Sequence, residues 1–190
     1  PSLRTRASFN AAMAQLGGSC QFFSADDAGL GGRESIEDVA RVISGYSDVL
    51  VLRTFSQSTI ERFAELASCP VIYPLSDDRH PCQALTDLLT IRETFGELAG
   101  RRLVFVGDGN NVARSLAIAC GRAGLSMTLS APVGYEFDDD FLGLLSREVP
   151  GGDLVVETDP MVAVAEADVV YTDVWASMGQ ESEKSERAAA

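Results

Sequence analysis

Short apolar stretches alternate with amphipathic stretches along most of the chain. Buried-strand patterns occur at Asp48–Arg53 and Arg102–Val106, and apolar residues recur at helical spacing in Ser35–Ser44 and Val112–Ala123. Further strands are predicted at Ser19–Phe23, Pro70–Tyr73, Ser126–Leu129, Asp153–Glu157 and Asp168–Thr172. Further helices are predicted at Ala7–Leu16, Ser58–Ala67, Gln83–Phe95, Asp138–Ser146 and Pro160–Ala167. Strands that alternate with helices at this spacing are typical of an α/β fold, in which parallel sheets are flanked by helices.

The alternation of strands and helices falls into two runs, one before and one after the predicted helix Gln83–Phe95. The segment Gly96–Arg101, between this helix and the next strand, has the character of a hinge. A chain of 190 residues is long enough for two small domains. We therefore predict two α/β subdomains, residues 1–96 and residues 97–190, each built on its own parallel sheet.

Composition excludes several classes of protein. The chain is 46% hydrophobic, which is too apolar for a disordered segment, yet no apolar run reaches the length of a membrane span. The net charge of −13 disfavours nucleic acid and anionic membranes as partners. His80 is the single histidine, and the four cysteines (Cys20, Cys69, Cys82 and Cys120) form no CxxC pair. This disfavours a metal site and a disulfide framework, and we predict a cytoplasmic protein without a metal.

Polar residues follow several of the predicted strands, at the edge where ligands of open α/β sheets bind. Arg53 ends the strand Asp48–Arg53, and an arginine at the end of a buried strand needs a partner or a ligand for its charge. The segment Ser2–Arg6 precedes the first predicted helix and combines hydroxyl groups with two arginines. It is consistent with a phosphate site at a helix N-terminus, or with a simple helix cap flanked by solvated arginines.

Two further segments carry candidate chemistry. His80 and Gln83 stand in His80-Pro81-Cys82-Gln83, where an imidazole could donate to a carbonyl oxygen and an amide could accept from an NH₂ group. The turn Gly107–Asn111 is half of a dinucleotide-binding fingerprint, because valine replaces its third glycine. Its asparagines could hold an amino acid, or the segment could be a plain strand-to-helix turn.

Five ordered segments together resemble the aspartate/ornithine transcarbamylase family, and within it the enzymes that use ornithine. These segments are Ser2–Arg6, Arg53–Gln57, Leu75–Gln83, Gly107–Asn111 and Asp173–Glu181. The resemblance runs from the start of the chain to about Glu181. It implies transfer of a carbamoyl group from carbamoyl phosphate to the side-chain amine of L-ornithine, giving citrulline and phosphate, as in arginine biosynthesis.

The resemblance also implies roles for individual residues. Catalysis falls to Arg53, His80 and Thr5, which would polarise the carbonyl group and stabilise the oxyanion. Carbamoyl phosphate is expected to be bound by Ser2, Leu3 through its backbone N–H, Arg4, Thr5, Arg53, His80 and Gln83. Ornithine is expected to be bound by Asn111, Asp173, Ser177 and Met178. No metal or organic cofactor is implied, and the family assembles as homotrimers.

The sequence departs from the family pattern at both ends and in two loops. It lacks the family's N-terminal helix, its His-Cys-Leu-Pro motif and a later arginine, so we expect a central fragment that is inactive alone. Gly29 stands where many relatives have glutamine, and Tyr73-Pro74 replaces the usual Asn-Gly or Asn-Ala. Two alternatives remain open: a transcarbamylase for aspartate or acetylornithine, and a truncated, non-catalytic phosphate-binding module.

Overall fold

The structure, a computed structural model, describes residues 3–24, 27–29 and 33–174. The chain forms two compact units, Pro1–Pro74 and Leu75–Ala190. This division by compactness assigns the helix that begins at Pro81 to the second unit. The boundary that the sequence pattern places after residue 96 stays a prediction.

The first unit carries a small parallel sheet with helices around it. Its elements are α1 (Leu3–Gln15), α2 (Ile36–Ser44), β1 (Leu50–Val51), α3 (Gln57–Leu66) and β2 (Val71–Ile72). Strands β1 and β2 pair in parallel, with Leu50 opposite Val71. A small core forms where Val39 and Ala40 of α2 meet Phe63 of α3.

Serine side chains define the starts of α2 and α3. Ser35 accepts a hydrogen bond from the backbone N–H of Asp38, and Ser56 accepts one from the backbone N–H of Thr59. Each serine thereby satisfies a donor that has no partner within its own helix. These caps explain why the observed helices begin within a residue of their predicted starts.

Two predictions in the first unit are wrong in detail. Ser19–Phe23 forms no strand, because its backbone joins no ladder within the described part of the chain, and Phe22 and Phe23 are about half exposed. Helix α1 begins at Leu3 rather than at Ala7, so the predicted phosphate-binding segment lies in its first turn. The phosphate-binding prediction therefore concerns backbone N–H groups of the helix itself.

The second unit is a larger parallel α/β layer. Its elements are α4 (Pro81–Phe95), β3 (Arg102–Val106), α5 (Asn111–Ala123), β4 (Ser126–Ser130), α6 (Asp139–Glu148), β5 (Leu154–Glu157), α7 (Pro160–Ala163), a 3₁₀ turn (Val164–Glu166) and β6 (Val169–Thr172). The strands lie in the order β5-β4-β3-β6, and every neighbouring pair is parallel. The α/β fold with parallel sheets flanked by helices, predicted from the alternating pattern, is confirmed.

The core of the second unit lies between its sheet and helices α4, α5 and α6. Leu103 and Phe105 of β3, Leu116 of α5 and Leu129 of β4 are completely buried in it. Helix α4 contributes apolar side chains, Ile91 among them, to the same core. These contacts fix the direction of α4, and with it the start of the helix, where two of the candidate residues lie.

No helix within the described ranges is long and apolar enough to cross a membrane. The same ranges contain no cluster of three or more histidine, cysteine, aspartate or glutamate side chains arranged to hold a metal ion. The four cysteines are free thiols, of which Cys120 is buried and Cys20 is exposed.

Candidate active site

In the first unit, the structure brings together several of the predicted residues. The guanidinium of Arg53 donates from Nη1 to Thr5 Oγ1 at 2.7 Å, although the two residues are 48 positions apart. Arg53 follows β1, and Thr5 lies in the first turn of α1, which begins at Leu3. Burial holds the pKa of the Arg53 guanidinium below its usual range, and the nearby charge of Arg4 lowers it further.

Arg4, Thr5 and Arg53 form a cluster that concentrates positive charge in an acidic protein. Among the residues that the structure describes, no carboxylate forms an ion pair with Arg4 or Arg53, whereas Arg62 and Arg114 each pair with two. The backbone N–H groups of the first turn of α1 add positive dipole ends beside them. Two guanidinium groups that repel each other at a helix N-terminus favour an anion, and a tetrahedral phosphate suits this set of donors.

In the second unit, the loop before α4 is held rigidly around His80. Ser76 is completely buried, and its hydroxyl accepts from the backbone N–H groups of Asp78 and Arg79 at 3.2 and 3.0 Å. The backbone N–H of His80 donates to Ser115 Oγ of α5 at 2.7 Å. A proline then opens α4, where its missing N–H costs nothing. The imidazole of His80 is thus carried on a backbone fixed from two sides.

An ionic network ties the same loop to helices α5 and α6. Arg114 of α5 pairs with Asp78 at 2.7 Å and also with Asp138, the residue that caps α6. Arg79 also pairs with Asp78. The guanidinium groups of Arg79 and Arg114 lie over the ring of Phe141, at 5.2 and 5.3 Å from its centroid respectively. The hydrogen bond from the Phe141 backbone N–H is the main reason that the pKa of Asp138 is lowered, and the charge of Arg114 adds to it.

The turn between β3 and α5 positions two of the candidate ornithine ligands. Asn111 donates from Nδ2 to the backbone oxygen of Ser76 at 2.8 Å, which joins it to the loop before His80. Asn110 caps α5 through Oδ1 and donates from Nδ2 to Asp173 Oδ2 at 3.3 Å. Asp173 is exposed just after β6. Its carboxylate is therefore accessible to a cationic group approaching from solvent.

A glycine in the same turn has a structural role. A Cβ atom on Gly109 would lie 2.9 Å from the backbone of Glu136, so no larger side chain fits there without a shift. Gly109 also donates from its backbone N–H to the oxygen of Tyr135 at 2.7 Å. Close packing of two backbone segments accounts for this glycine.

Three of the predicted site residues, Ser2, Ser177 and Met178, lie outside the described residues. Leu3, Arg4, Thr5 and Arg53 lie in the first unit, and His80, Gln83, Asn111 and Asp173 lie in the second. The structure therefore groups the predicted residues into one set on each unit.

Three further residues contact the candidates and belong to none of the segments that the sequence singles out: Ser115, Asp87 and Tyr171. Gln83 donates from Nε2 to Asp87 Oδ1 at 2.9 Å, one helical turn further along α4. The i,i+4 spacing of this pair on a predicted helix is a signal that the sequence does contain. The contacts of Ser115 and Tyr171 join distant segments of the chain, and no sequence pattern indicates them.

Comparison with known proteins identifies the same family for both parts of the chain. Residues 1–93 match the carbamoyl-P binding domain of aspartate/ornithine carbamoyltransferase, and residues 99–190 match the Asp/Orn binding domain of that family. The chain is 47% identical over 190 residues to ornithine carbamoyltransferase of Bacillus subtilis, in a match that covers 99% of this chain and 60% of that protein. It is 50% identical to the Parafrankia protein of the same name, with the same coverage.

Solved structures give the same result. Ornithine carbamoyltransferase from Pyrococcus furiosus superposes with a TM-score of 0.92 at 46% identity, covering all of this chain and 61% of that one. A variant of N-acetyl-L-ornithine transcarbamylase superposes with a TM-score of 0.82 at 31% identity, covering all of this chain and 68% of that one. The chain spans about 60% of the length of the curated relatives it matches. Since the two family domains together match nearly all of its residues, the chain belongs to the aspartate/ornithine carbamoyltransferase family.

Proposed function

We propose that the protein transfers a carbamoyl group from carbamoyl phosphate to the side-chain amine of L-ornithine, giving citrulline and phosphate. The observation that carries this proposal is the hydrogen bond between Arg53 and Thr5 beside the charge of Arg4. This cluster lies in the segment that matches a carbamoyl-P binding domain. Its two guanidinium groups and the helix N–H groups offer the donors that a phosphate dianion needs.

The reaction requires little from the protein besides positioning and charge. The lone pair of the ornithine amine attacks the carbonyl carbon, the bond from that carbon to the phosphate oxygen breaks, and the proton that the amine nitrogen gives up passes to the departing phosphate. Negative charge develops first on the carbonyl oxygen and then on the leaving phosphate. Arg53, Thr5 and His80 are the proposed donors to the carbonyl oxygen, where they would stabilise the oxyanion of the intermediate. Ser2, Leu3, Arg4 and Thr5 are proposed to hold the phosphate.

The second unit is proposed to supply contacts to the carbamoyl NH₂ group and to ornithine. Gln83 would accept from the NH₂ group through its side-chain oxygen. The exposed carboxylate of Asp173 suits the α-ammonium group of ornithine on charge grounds, with Asn111, Ser177 and Met178 as further ligands. This assignment needs neither a metal nor an organic cofactor, because the carbamoyl group is already activated by its bond to phosphate, which is a good leaving group.

N-acetylornithine is the second candidate for the accepting amine. The structural similarity to N-acetyl-L-ornithine transcarbamylase supports this alternative, and the reaction at the carbonyl carbon would be identical. The carboxylate of Asp173 favours ornithine, because acetylation removes the positive charge that this carboxylate would bind. Arginine biosynthesis, a cytoplasmic location and a homotrimer are part of the same proposal and follow the family.

An assay with a panel of amines tests the proposed reaction. The product of the complete reading frame that encodes these residues is given carbamoyl phosphate with ornithine, N-acetylornithine or aspartate, and the carbamoylated product and phosphate are measured. We expect equimolar citrulline and phosphate with ornithine and neither product above background with the other two amines. Turnover with another amine and none with ornithine would refute the substrate assignment. Absence of turnover with all three would favour the non-catalytic binding module.

A further inference from the structure

A side-chain network on α4 involves a carboxylate that the proposed reaction does not use. Asp87 lies one turn after Gln83 and accepts from its Nε2 at 2.9 Å. The second oxygen of Asp87, Oδ2, is shielded from solvent. The hydroxyl of Tyr171 on β6 interacts with the same carboxylate from the neighbouring sheet. A shielded carboxylate in this position needs a reason, because its desolvation is unfavourable.

The two ends of a glutamine amide are chemically different. Nε2 can only donate hydrogen bonds and Oε1 can only accept them, whereas an ionised carboxylate can only accept. With Asp87 as its partner, Gln83 must direct Nε2 along the helix toward the carboxylate. Oε1 is then directed away from Asp87, as an acceptor with a fixed orientation. If Asp87 were replaced by an amide, both orientations of Gln83 would find a partner.

The surroundings of Asp87 partly offset the effect of its burial. Burial raises the pKa of the Asp87 carboxyl, while the hydrogen bond from Gln83 and the nearby hydroxyl of Tyr171 act against that rise. Burial also raises the pKa of the Tyr171 hydroxyl, and the charge of Asp87 raises it further, so the hydroxyl stays protonated and able to donate. The ring of Tyr171 is anchored in turn by stacking on Phe105, with the two centroids 5.4 Å apart. The carboxylate of Asp87 thus accepts a hydrogen bond from Gln83 and has the hydroxyl of Tyr171 as a second polar neighbour.

We propose that Asp87 is a positioning residue that fixes the amide of Gln83 so that its Oε1 selects a substrate with an NH₂ group on the reacting carbonyl. The inference rests on the proposed function, in which Gln83 contacts the carbamoyl NH₂. In this role, Asp87 allows the protein to distinguish carbamoyl phosphate from acyl phosphates that carry a methyl group in place of the NH₂ group. An acyl phosphate such as acetyl phosphate has the same phosphate and carbonyl groups but offers Oε1 no hydrogen.

Two stable ligands isolate this one contact. Phosphonoacetamide and phosphonoacetone share a phosphonate, a methylene and a carbonyl group, and they differ only in an NH₂ group against a methyl group. Their dissociation constants are measured by calorimetry on the product of the complete reading frame, for the unsubstituted protein, Asp87→Asn and Glu93→Gln. Glu93 is an exposed carboxylate on the same helix and controls for the loss of one negative charge.

We expect the unsubstituted protein and Glu93→Gln to prefer phosphonoacetamide by roughly tenfold, the worth of one hydrogen bond. Asp87→Asn is expected to lower that preference by about twofold or more, because about half or more of the Gln83 amides then present Nε2 to the ligand, while its affinity for phosphonoacetone stays nearly unchanged. A merely structural role for Asp87 would weaken the binding of both ligands equally. If Asp87→Asn retains the preference, the positioning role is refuted.

The remaining outcomes separate this inference from the proposed function. Failure of the unsubstituted protein to bind either ligand would refute the proposed function itself. Equal binding of both ligands by the unsubstituted protein would refute the orientation of Gln83 and leave the phosphate site intact. If Asp87→Asn does not fold, Asp87→Glu replaces it in the test. That variant keeps a carboxylate acceptor and must retain a preference for the amide, or the inference fails.

Discussion

At the scale of single residues, the contact between Thr5 and Arg53 sets the geometry of the proposed phosphate site. Thr5→Val keeps the shape of the side chain and removes the acceptor of the 2.7 Å hydrogen bond. Because Arg53 is then free to take other rotamers, we expect the dissociation constant of phosphonoacetamide to rise about five- to fifteenfold, as for the loss of one hydrogen bond. Calorimetry provides the measurement. Thr5→Ser, which keeps the hydroxyl, should stay close to the unsubstituted protein, and equal losses in both variants would contradict the role.

The cysteine thiols differ in reactivity for a physical reason that can be measured residue by residue. Burial is the main cause that raises the pKa of the Cys120 thiol to about 12, and the charge of Asp87 adds to it. Burial also raises the pKa of Cys82, whereas Cys20 is exposed. Since the thiolate is the reactive form, we expect Cys20 to be alkylated first at neutral pH and Cys120 only after unfolding. Mass spectrometry of timed alkylation would contradict this order if Cys120 reacted in the folded protein at the rate of Cys20.

At the scale of elements, the packing of α5 against the loop before α4 holds His80. Ser115 is 5% exposed, and its hydroxyl joins the two elements by accepting from the backbone N–H of His80. Ser115→Ala leaves that N–H without this acceptor, and we expect the free energy of unfolding to fall by about 1–3 kcal/mol.

Ser146→Ala on α6 is the matched control for this substitution. The hydroxyls of Ser115 and Ser146 each donate to the backbone oxygen four residues earlier at 2.9 Å, but Ser146 is exposed. Removal of the Ser146 hydroxyl is expected to change the stability by less than about 0.5 kcal/mol, as for most surface substitutions. Urea denaturation curves of both variants provide the comparison, and equal losses would contradict the bridging role of Ser115.

The elements also show how far the sequence predicts this fold. The four apolar residues Leu103–Val106, which follow Arg102, predict a strand at its observed bounds, because a short run rich in β-branched and aromatic residues favours a buried strand. Ser19–Phe23 has the composition of a strand but pairs with no neighbouring strand among the described residues, and pairing is not encoded locally. Helix α1 extends over residues 3–6 because its first turn needs no apolar positions.

The candidate site is predictable only in part for a similar reason. Residues in short motifs, such as His80 and Gln83, can be identified from their own neighbours in the sequence. Residues that hold them, such as Ser115 and Tyr171, come from elements far along the chain and carry no motif of their own. Their contacts depend on tertiary packing, which a single sequence does not reveal.

At the scale of the whole molecule, several acidic side chains accept hydrogen bonds that make the free energy of unfolding depend on pH. The pKa of Asp168 is held below its usual range, first by a hydrogen bond from the backbone N–H of Arg102 and then by the side chain of Arg101. The pKa values of Asp138 and Glu37 are lowered by comparable contacts. A carboxyl with a lower pKa in the folded state stabilises the fold above its unfolded pKa, and this contribution is lost as the pH falls through the folded value.

We therefore expect the free energy of unfolding to decrease as the pH falls below about 4, near the unfolded pKa of aspartate. Asp168→Asn should destabilise the protein at pH values above that range and have a smaller effect at lower pH, where the native carboxyl is itself becoming protonated. Denaturant titrations at a series of pH values test this. An effect of Asp168→Asn that is the same at neutral and at acidic pH would contradict the linkage.

The central claim is that the cluster of Arg4, Thr5 and Arg53 binds the phosphate end of carbamoyl phosphate. Calorimetry of phosphonoacetamide with Arg53→Ala tests it most directly, with Arg33→Ala as a control for the loss of one positive charge, since the side chain of Arg33 is 78% exposed. We predict that Arg53→Ala raises the dissociation constant by about 30-fold or more, because a hydrogen bond to a charged group contributes roughly 2 kcal/mol, while Arg33→Ala leaves it nearly unchanged. Equal affinity in Arg53→Ala and in the unsubstituted protein would contradict the claim.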